Sequence, residues 1–513
     1  MKKKLLSAIL AALMLSSSVL MSACSNNSPE NTPEDTQPAA NQQEVTPIET
    51  DEAEVEIDEL SDLEQRQLIP DNVPEYNFNG TDFVVCTVEN TYDNGFRYED
   101  EICADNLNGD ACNDAVFNRN VKVEDRLNIK IKVDTNMNAQ SLPKTMASSG
   151  SQDYQLVALY NYQSYIPITA QAILNWRAVE NVDFDQPWHN KLANDDATVN
   201  GILYTACSDL SITSMTFAHA IFANLDMAAN YGFSPSDLYG TVQEGKWTFD
   251  YMTNIVKDMY LDLNGNSQSD INDDQFGFGY RPVNPADVWF TAFGGKMTGR
   301  DADGNLTITF MEEKTVDEIA ALLDFHYNNP GFAMLSTQYD EEQWFLNQKL
   351  VFAPMRFNAA FGTLRDMDAQ YTMLPFPKWD ETQDAYYTNA DDKFSVFCIP
   401  KSLYDQTEMI GAVYEVLSAE SYKSVYPVYT DIALKGKYST DAETAAIVDI
   451  ILAGRMFDFG FQFGMTVFQD IPYMFRTCIQ DNDPNIASKY ESIQNKLEKQ
   501  IEKTIVKVYE LGE

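Results

Sequence analysis

Basic residues are scarce in this chain. Its 513 residues hold 35 Lys plus Arg against 78 Asp plus Glu, a formal net charge of −43. Every phosphate contact on DNA or RNA draws on Lys or Arg, so this balance excludes a nucleic-acid binder. It equally excludes electrostatic docking on an anionic membrane surface. Only three His occur, His189, His219 and His326, and none has a second His or Cys at ligand spacing. A hydrolytic zinc centre therefore lacks its ligands. The seven cysteines include no CxxC pair, which removes a zinc ribbon and a dense disulfide scaffold. Walker A, GxGxxG, HExxH and GxSxG patterns are all absent. A paired-carboxylate glycosidase stays open, because its two acids need only meet in space. Past residue 24, no apolar run reaches the roughly 18–20 residues that a membrane-spanning helix needs.

What is present begins with an export signal. Lys2, Lys3 and Lys4 precede an apolar stretch over residues 5–20, followed by Leu20-Met21-Ser22-Ala23-Cys24. Small residues before a Cys, directly after such a stretch, resemble the lipobox of bacterial lipoproteins. The resemblance implies a signal peptide over 1–23 and a lipid on Cys24. Residues 24–72 then change in composition. From residue 25 they hold 14 acids, one base (Arg66) and no aromatic. A stretch of this kind buries too little apolar surface to fold, so it reads as an extended acidic tether. A short helix within 56–68 is the alternative. Hydrophobic residues make up 44% of the chain and aromatics 12%, so the remainder is globular, with length for two or three domains. Of the six later cysteines, Cys103 and Cys112 flank an Asn108-Gly109 turn across which they could pair.

The body reads as α/β. Residues 81–89 and 154–160 are strands with continuous apolar centres, as in parallel sheets, and 129–133 alternates as a half-buried strand. A helix covers 110–127 between the first two of these strands. Further strands are expected at 202–206, 218–225, 349–354 and 395–399. Helices are expected at 248–258, with Thr248 as N-cap, at 316–327, and over most of the chain after 405. Asp303-Gly304 reads as a hairpin turn. Ligands of open α/β sheets bind beyond the carboxyl ends of the strands, so the loops after Glu89 and Tyr160 are the first places to look.

The sharpest local motif is a twelve-residue loop carrying Asp262, Asn264, Asn266, Gln268, Asp270 and Asp273. Oxygen side chains at positions 1, 3, 5, 9 and 12, with a backbone carbonyl at 7, form the spacing that wraps Ca²⁺. Ser267 stands where the turn prefers Gly, and Asp273 where a bidentate Glu is usual. A structural Ca²⁺ is the expectation.

Several weak signatures then follow one another in a known order. They are Gly109-Asp110 with residues 113–120, residues 149–154, Pro187-Trp188, residues 200–204, Ser208-Asp209, residues 245–248, the 262–273 loop, and Phe293-Gly294-Gly295. Together they resemble the bacterial extracellular solute-binding protein family 1, the lipoprotein component of carbohydrate-type ABC importers. The resemblance implies a two-lobe, type II-like periplasmic-binding-protein fold with the ligand cleft between lobes joined by crossing segments. On that pattern lobe 1 takes 73–205 and 355–415, and lobe 2 takes 206–354 and 416–513. Crossings fall near 204–209, near 354–357 and within 400–425. The implied partners are a carbohydrate, a permease and, through the lipid, the extracytoplasmic face of the cell membrane. The implied molecule is a monomer and not an enzyme. A peptide ligand, a sensor and a tethered glycan-degrading enzyme remain as alternatives.

A sugar offers an apolar C–H face and a rim of hydroxyls, so its site needs aromatic faces and hydrogen-bonding side chains. The aromatic candidates are Tyr92, Tyr160, Trp188, Trp289 and Phe293. The polar candidates are Asp93, Asn161, Asp209, Arg356 and Asn358, with Asp209 and Arg356 favoured beside the inferred crossings.

Overall fold

The computed structural model describes residues 61–90, 97–302, 304–336, 340–435, 442–468 and 471–510. The signal segment, Cys24 and the first part of the tether lie outside the described residues, as do Tyr92 and Asp93. Among the described residues no helix is long and apolar enough to cross a membrane.

The chain opens with strands β1 (Thr81–Val88), β2 (Ile129–Asn136) and β3 (Leu156–Tyr160). Next come β4 (His219–Asn224), β5 (Phe276–Tyr280), β6 (Thr298–Arg300), β7 (Leu306–Ile308) and β8 (Phe332–Met334). The last are β9 (Leu350–Arg356), β10 (Tyr371–Leu374), β11 (Thr388–Asn389), β12 (Ser395–Cys398) and β13 (Arg455–Met456). Two main sheets result, ordered β12-β3-β1-β2 and β10-β4-β9-β5-β8.

The first sheet is lobe 1. β1 runs parallel to β2, with Thr81 opposite Ile129, and parallel to β3, while β12 returns antiparallel to β3. The apolar centre of β1 is buried, and β2, on the sheet edge, buries Ile129 and Ile131 while exposing Lys130 and Lys132. The crossover helix Ala111–Leu127 starts where Asp110 accepts from the N–H groups of Cys112 and Asn113, and it stops at Asn128 in the left-handed region.

The second sheet is lobe 2. β4 lies antiparallel to β10 and β9, and β5 lies parallel to β9 and β8. Thr248 caps the helix Phe249–Val256 as expected, and β6 and β7 form the expected hairpin. The sequence reading passes over β5, whose Phe-Gly-Phe-Gly-Tyr pattern looks like a breaker. Both glycines are forced by close packing: a Cβ on Gly277 would meet Met259 Cβ at 2.7 Å, and one on Gly279 would meet Ala333 O at 2.9 Å.

Three expectations need correction. Residues 202–206 form isolated bridges, Val199 to Ile202 and Ala206 to Phe397, in place of a strand. The second crossing is not at 354–357. β9 is an inner strand of lobe 2 flanked by β4 and β5, and the chain returns to lobe 1 through residues 388–395. Lobe 1 then extends past 415. The helix Thr407–Glu420 and the wide π-type turn Ser421–Val425 lie on the Ala111–Leu127 helix, through Lys122–Glu420 at 2.7 Å and Arg119 Nη1 to Ser421 Oγ at 3.1 Å. All six described cysteines are free thiols. Cys103 sits by Arg119 and Asn120, and Cys112 by Tyr429.

The end of the tether is folded. Ser61 and Glu64 form a capping box on the helix Asp62–Gln67. Arg66 lies 4.3 Å over the Tyr422 ring and donates to Tyr422 O, while Gln67 donates to Lys423 O. Asp71 grips Arg126 through both oxygens, at 2.5 and 2.9 Å.

Candidate functional site

The three routes between the lobes meet in a polar knot. Buried Glu101 of lobe 1 accepts from Thr213 N at 2.8 Å and from Ser395 Oγ at 2.7 Å, binding the first crossing to the start of β12. Burial pushes its carboxyl up to about 7. β11 and β13 pair in parallel, Thr388 opposite Arg455, so the returning segment and the 453–457 segment run side by side.

Arg356 leaves the end of β9 and grips Asp391, Nη2 to Oδ2 at 2.6 Å, with its guanidinium 4.8 Å over the Phe217 ring. Asn284 donates to the same Asp391 oxygen, and Arg476 donates to Asp287 and Asn284. The Arg356 guanidinium holds Asp391 far below the usual carboxylate range. Burial and the neighbouring Asp391 push Asp392 up to about 7. A second carboxyl pair, Asp196 and Asp458, also lies between the lobes. Burial and the nearby Asp458 raise Asp196 to about 7. Beside it, Arg300 of β6 donates to Asp196 O at 2.7 Å and to Thr198 O at 3.3 Å, on the lobe 1 helix Lys191–Ala197.

A cavity of about 510 Å³ opens beside this knot. Leu192 of lobe 1 overhangs one side and the 453–457 segment another, while lobe 2 supplies the rest through Phe293, Lys296, Lys314 and residues 379–387. Trp379 and Tyr387 are half-buried there, and Leu192 is exposed. The 379–387 loop is fixed from within. Trp379 N donates to Gln383 Oε1, and Gln383 Nε2 donates to Ala292 O and Ala385 O. Trp379 rests on Phe293, 5.1 Å between centroids, and on Phe249 at 6.2 Å. This is a preformed concave site of the size that takes a small ligand, walled by aromatics with polar groups between them.

The sequence-derived candidates distribute unevenly. Phe293 borders the cavity with its side chain fully buried under Trp379, 5.1 Å between ring centroids, so it supports the wall without offering a face. Tyr160 lies at the end of β3, edge-on to Tyr98 and stacked on Tyr162, and Asn161 lines a small void between the lobes. Arg356 belongs to the knot. Asn358 Oδ1 is buried and has no hydrogen-bond partner. Two aromatic candidates are corrected. Trp188 is fully buried with Nε1 donating to Glu415, and Trp289 is fully buried with Nε1 donating to Tyr280. Neither offers a face to a ligand. Asp209 lies outside the cavity, near Arg455, and burial pushes it up to about 7. Trp379, Tyr387, Lys296 and Lys314 were missed by sequence reasoning. The signal available was a Trp in a polar, turn-rich segment, Lys378-Trp379-Asp380, where no core periodicity accounts for it.

The 262–273 loop is wrapped as its spacing suggests. Asp262 accepts from the N–H groups of Gly265 and Ser267, Asn264 from Asn266, and Asn266 from Gln268. Ser267 holds φ of 60°, the conformation for which Gly is preferred at that position. Among the described residues no group of three or more His, Cys, Asp or Glu is placed to hold a metal ion.

No protein-family model matches the sequence, and no curated protein matches it. Solved structures do match. An ABC substrate-binding protein from Listeria monocytogenes, in complex with cycloalternan, superposes with a TM-score of 0.51 at 14% identity, covering 82% of this chain and 99% of that one. The Thermus thermophilus maltotriose-binding protein, with maltotriose bound, gives 0.50 at 13% identity, over 82% and 100%. The fold is therefore the two-lobe α/β fold of ABC substrate-binding proteins. The two sheets, with the chain crossing between them, are its elements here.

Proposed function

We propose that this chain is the solute-binding subunit of an ABC importer and captures a carbohydrate in the cavity walled by Trp379 and Tyr387. The observation that supports this most is a rigid, aromatic-walled cavity at the boundary of two lobes. Trp379 and Tyr387 present faces for sugar C–H groups, and the surrounding side chains meet hydroxyls. One neighbour was solved in complex with cycloalternan and the other with maltotriose bound. Closure of Leu192 and its helix over lobe 2 would bury the ligand by a hinge motion. Delivery to a membrane permease, attachment through a lipid on Cys24 on the extracytoplasmic face, a monomeric state, and a weak structural Ca²⁺ in the 262–273 loop belong to the same proposal.

The test is a thermal-shift screen of mono- and oligosaccharides. A ligand that binds only the native state raises the melting temperature by mass action. A concentration-dependent rise without turnover of the sugar supports the reading. Cleavage of the sugar would favour the tethered-enzyme alternative, and a rise with peptides alone would favour the peptide alternative.

A further inference from the structure

We propose that Lys378 is the positioning residue of the carbohydrate site: its buried ammonium holds Trp379 and Tyr387 where they can meet a sugar. This rests on the carbohydrate reading above and adds the group that sets the wall.

The first observation is how the wall is built along the chain. Trp379 and Tyr387 line the cavity and are half-buried. The residues just before them, Lys378 and Tyr386, are buried. Lys378 Nζ lies 5.5 Å from the centre of the Tyr386 ring, within the range of a cation–π contact. An inner pair thus ties together the two limbs that carry the outer pair.

The second observation is where that inner pair is fixed. Lys378 N donates to Trp247 O at 3.1 Å, and Phe249 N donates to Lys378 O at 2.8 Å. Tyr386 O–H donates to Val242 O at 2.9 Å and accepts from Trp247 N at 3.3 Å. From this base in the core the Lys378 side chain reaches across the loop. Nζ donates to Gln383 O at 3.1 Å, with Glu381 O at 3.5 Å. Gly245 leaves room for it, since a Cβ there would stand 3.2 Å from Nζ.

The third observation is what receives the charge. Among the described residues the acceptors of Lys378 Nζ are loop carbonyls, with a ring face beside them. A buried charge is costly to hold, and replacing one by an apolar side chain of similar volume is often neutral or stabilising. Such a group contributes little net stability, and what it supplies is geometry. An ammonium has three donors on one atom, so it can gather several carbonyls of one turn. Without it the loop keeps only the bonds made by the Asp380 and Gln383 side chains. The Trp379 face would then lose its fixed direction, and a ligand would have to order it on binding.

The experiment compares the full-length protein with Lys378→Met and Lys378→Gln. Of the six Trp only Trp379 is not buried, so acrylamide quenching of the Trp emission reports its exposure. Quenching of the ligand-free protein should rise in Lys378→Met, and less in Lys378→Gln, which keeps an N–H donor. Calorimetric affinity for the tightest binder among maltotriose, cellotriose and mannotriose should fall about tenfold in Lys378→Met, while the melting temperature holds or rises. The same substitution on a Trp379→Ala background should cost about threefold or less, because the ring it positions is gone. Equal losses in the two backgrounds would mark a merely structural role and overturn the proposal. Should Lys378→Met not fold, Lys378→Gln is read by the same criteria. Unchanged quenching and affinity in both variants overturn the proposal and leave the carbohydrate reading standing. If none of the three sugars binds, that counts against the carbohydrate reading, and the quenching alone supports or overturns the placement of Trp379 by Lys378.

Discussion

Trp289 and Trp379 flank the same two rings, Phe249 and Phe293, and meet opposite fates. Trp289 lies 5.5 and 5.7 Å from them, is fully buried, and donates to the Tyr280 hydroxyl, which in turn meets the buried His326. Trp379 lies 6.2 and 5.1 Å from the same rings but keeps a face toward the cavity. One aromatic cluster thus begins as core and ends as cavity wall. The core holds the wall in place, so a ligand meets a surface that needs little rearrangement to receive it.

That comparison can be broken in graded steps. Trp289→Ala should cost most, about 3–5 kcal/mol from the cavity left behind, and it removes one of the two partners of the Tyr280 hydroxyl. Denaturant unfolding measures the loss. A cost below 1 kcal/mol would mean that the cluster is not core. Trp379→Ala should weaken carbohydrate binding about tenfold or more while moving the melting temperature little, since stacked aromatic contacts contribute about 0.5–1.5 kcal/mol beyond area burial. Calorimetry on the variant checks both parts.

Acid should tighten the seam between the lobes. Asp196 and Asp392 are held near 7, above the value of about 4 in an unfolded chain. The native state binds more protons between those values, so stability falls as pH rises from about 4 to 7. Asp391 is lowered and acts oppositely, below about 4. Asp196→Asn should flatten part of the decline by removing the repulsion from Asp458, with Lys296 and Arg300 beside it unchanged. Melting curves from pH 5 to pH 7.5 on both proteins read this out. A slope of the opposite sign would contradict it.

Smaller effects come from regions remote from the aromatics. Arg66→Ala removes the cation–π contact and the hydrogen bond that dock the folded tether end on Tyr422, together worth about 1 kcal/mol at this half-buried site. Unfolding free energies of the two proteins measure it. The smallest shift should follow exchange of millimolar Ca²⁺ for EDTA, because the 262–273 loop keeps its own hydrogen bonds. A rise in melting temperature with Ca²⁺ that Asp262→Ala abolishes would establish the site.

The fold was legible where periodicity and caps coincide, as in the Ala111–Leu127 helix with its Asp110 cap and in the apolar centres of β1 and β3. β5 was hidden because its glycines answer to neighbours distant in sequence. The second crossing was misplaced because the family pattern set it at the end of β9, whereas that strand pairs with β4 through Arg356 and stays inside the lobe 2 sheet. For the site, residue type suggested Trp188 and Trp289 over Trp379. Whether an indole ends up inside or on a wall depends on which elements cover it, and one-dimensional spacing does not carry that. Trp188 is covered through Glu415, 227 residues further on.

The most direct test is a pair of calorimetric titrations, on Trp379→Ala and Trp289→Phe, with whichever sugar raises the melting temperature most. The account predicts that Trp379→Ala loses about tenfold or more in affinity while Trp289→Phe, if folded, stays within about threefold of the natural protein. Full affinity in Trp379→Ala would contradict the placement of the ligand in this cavity.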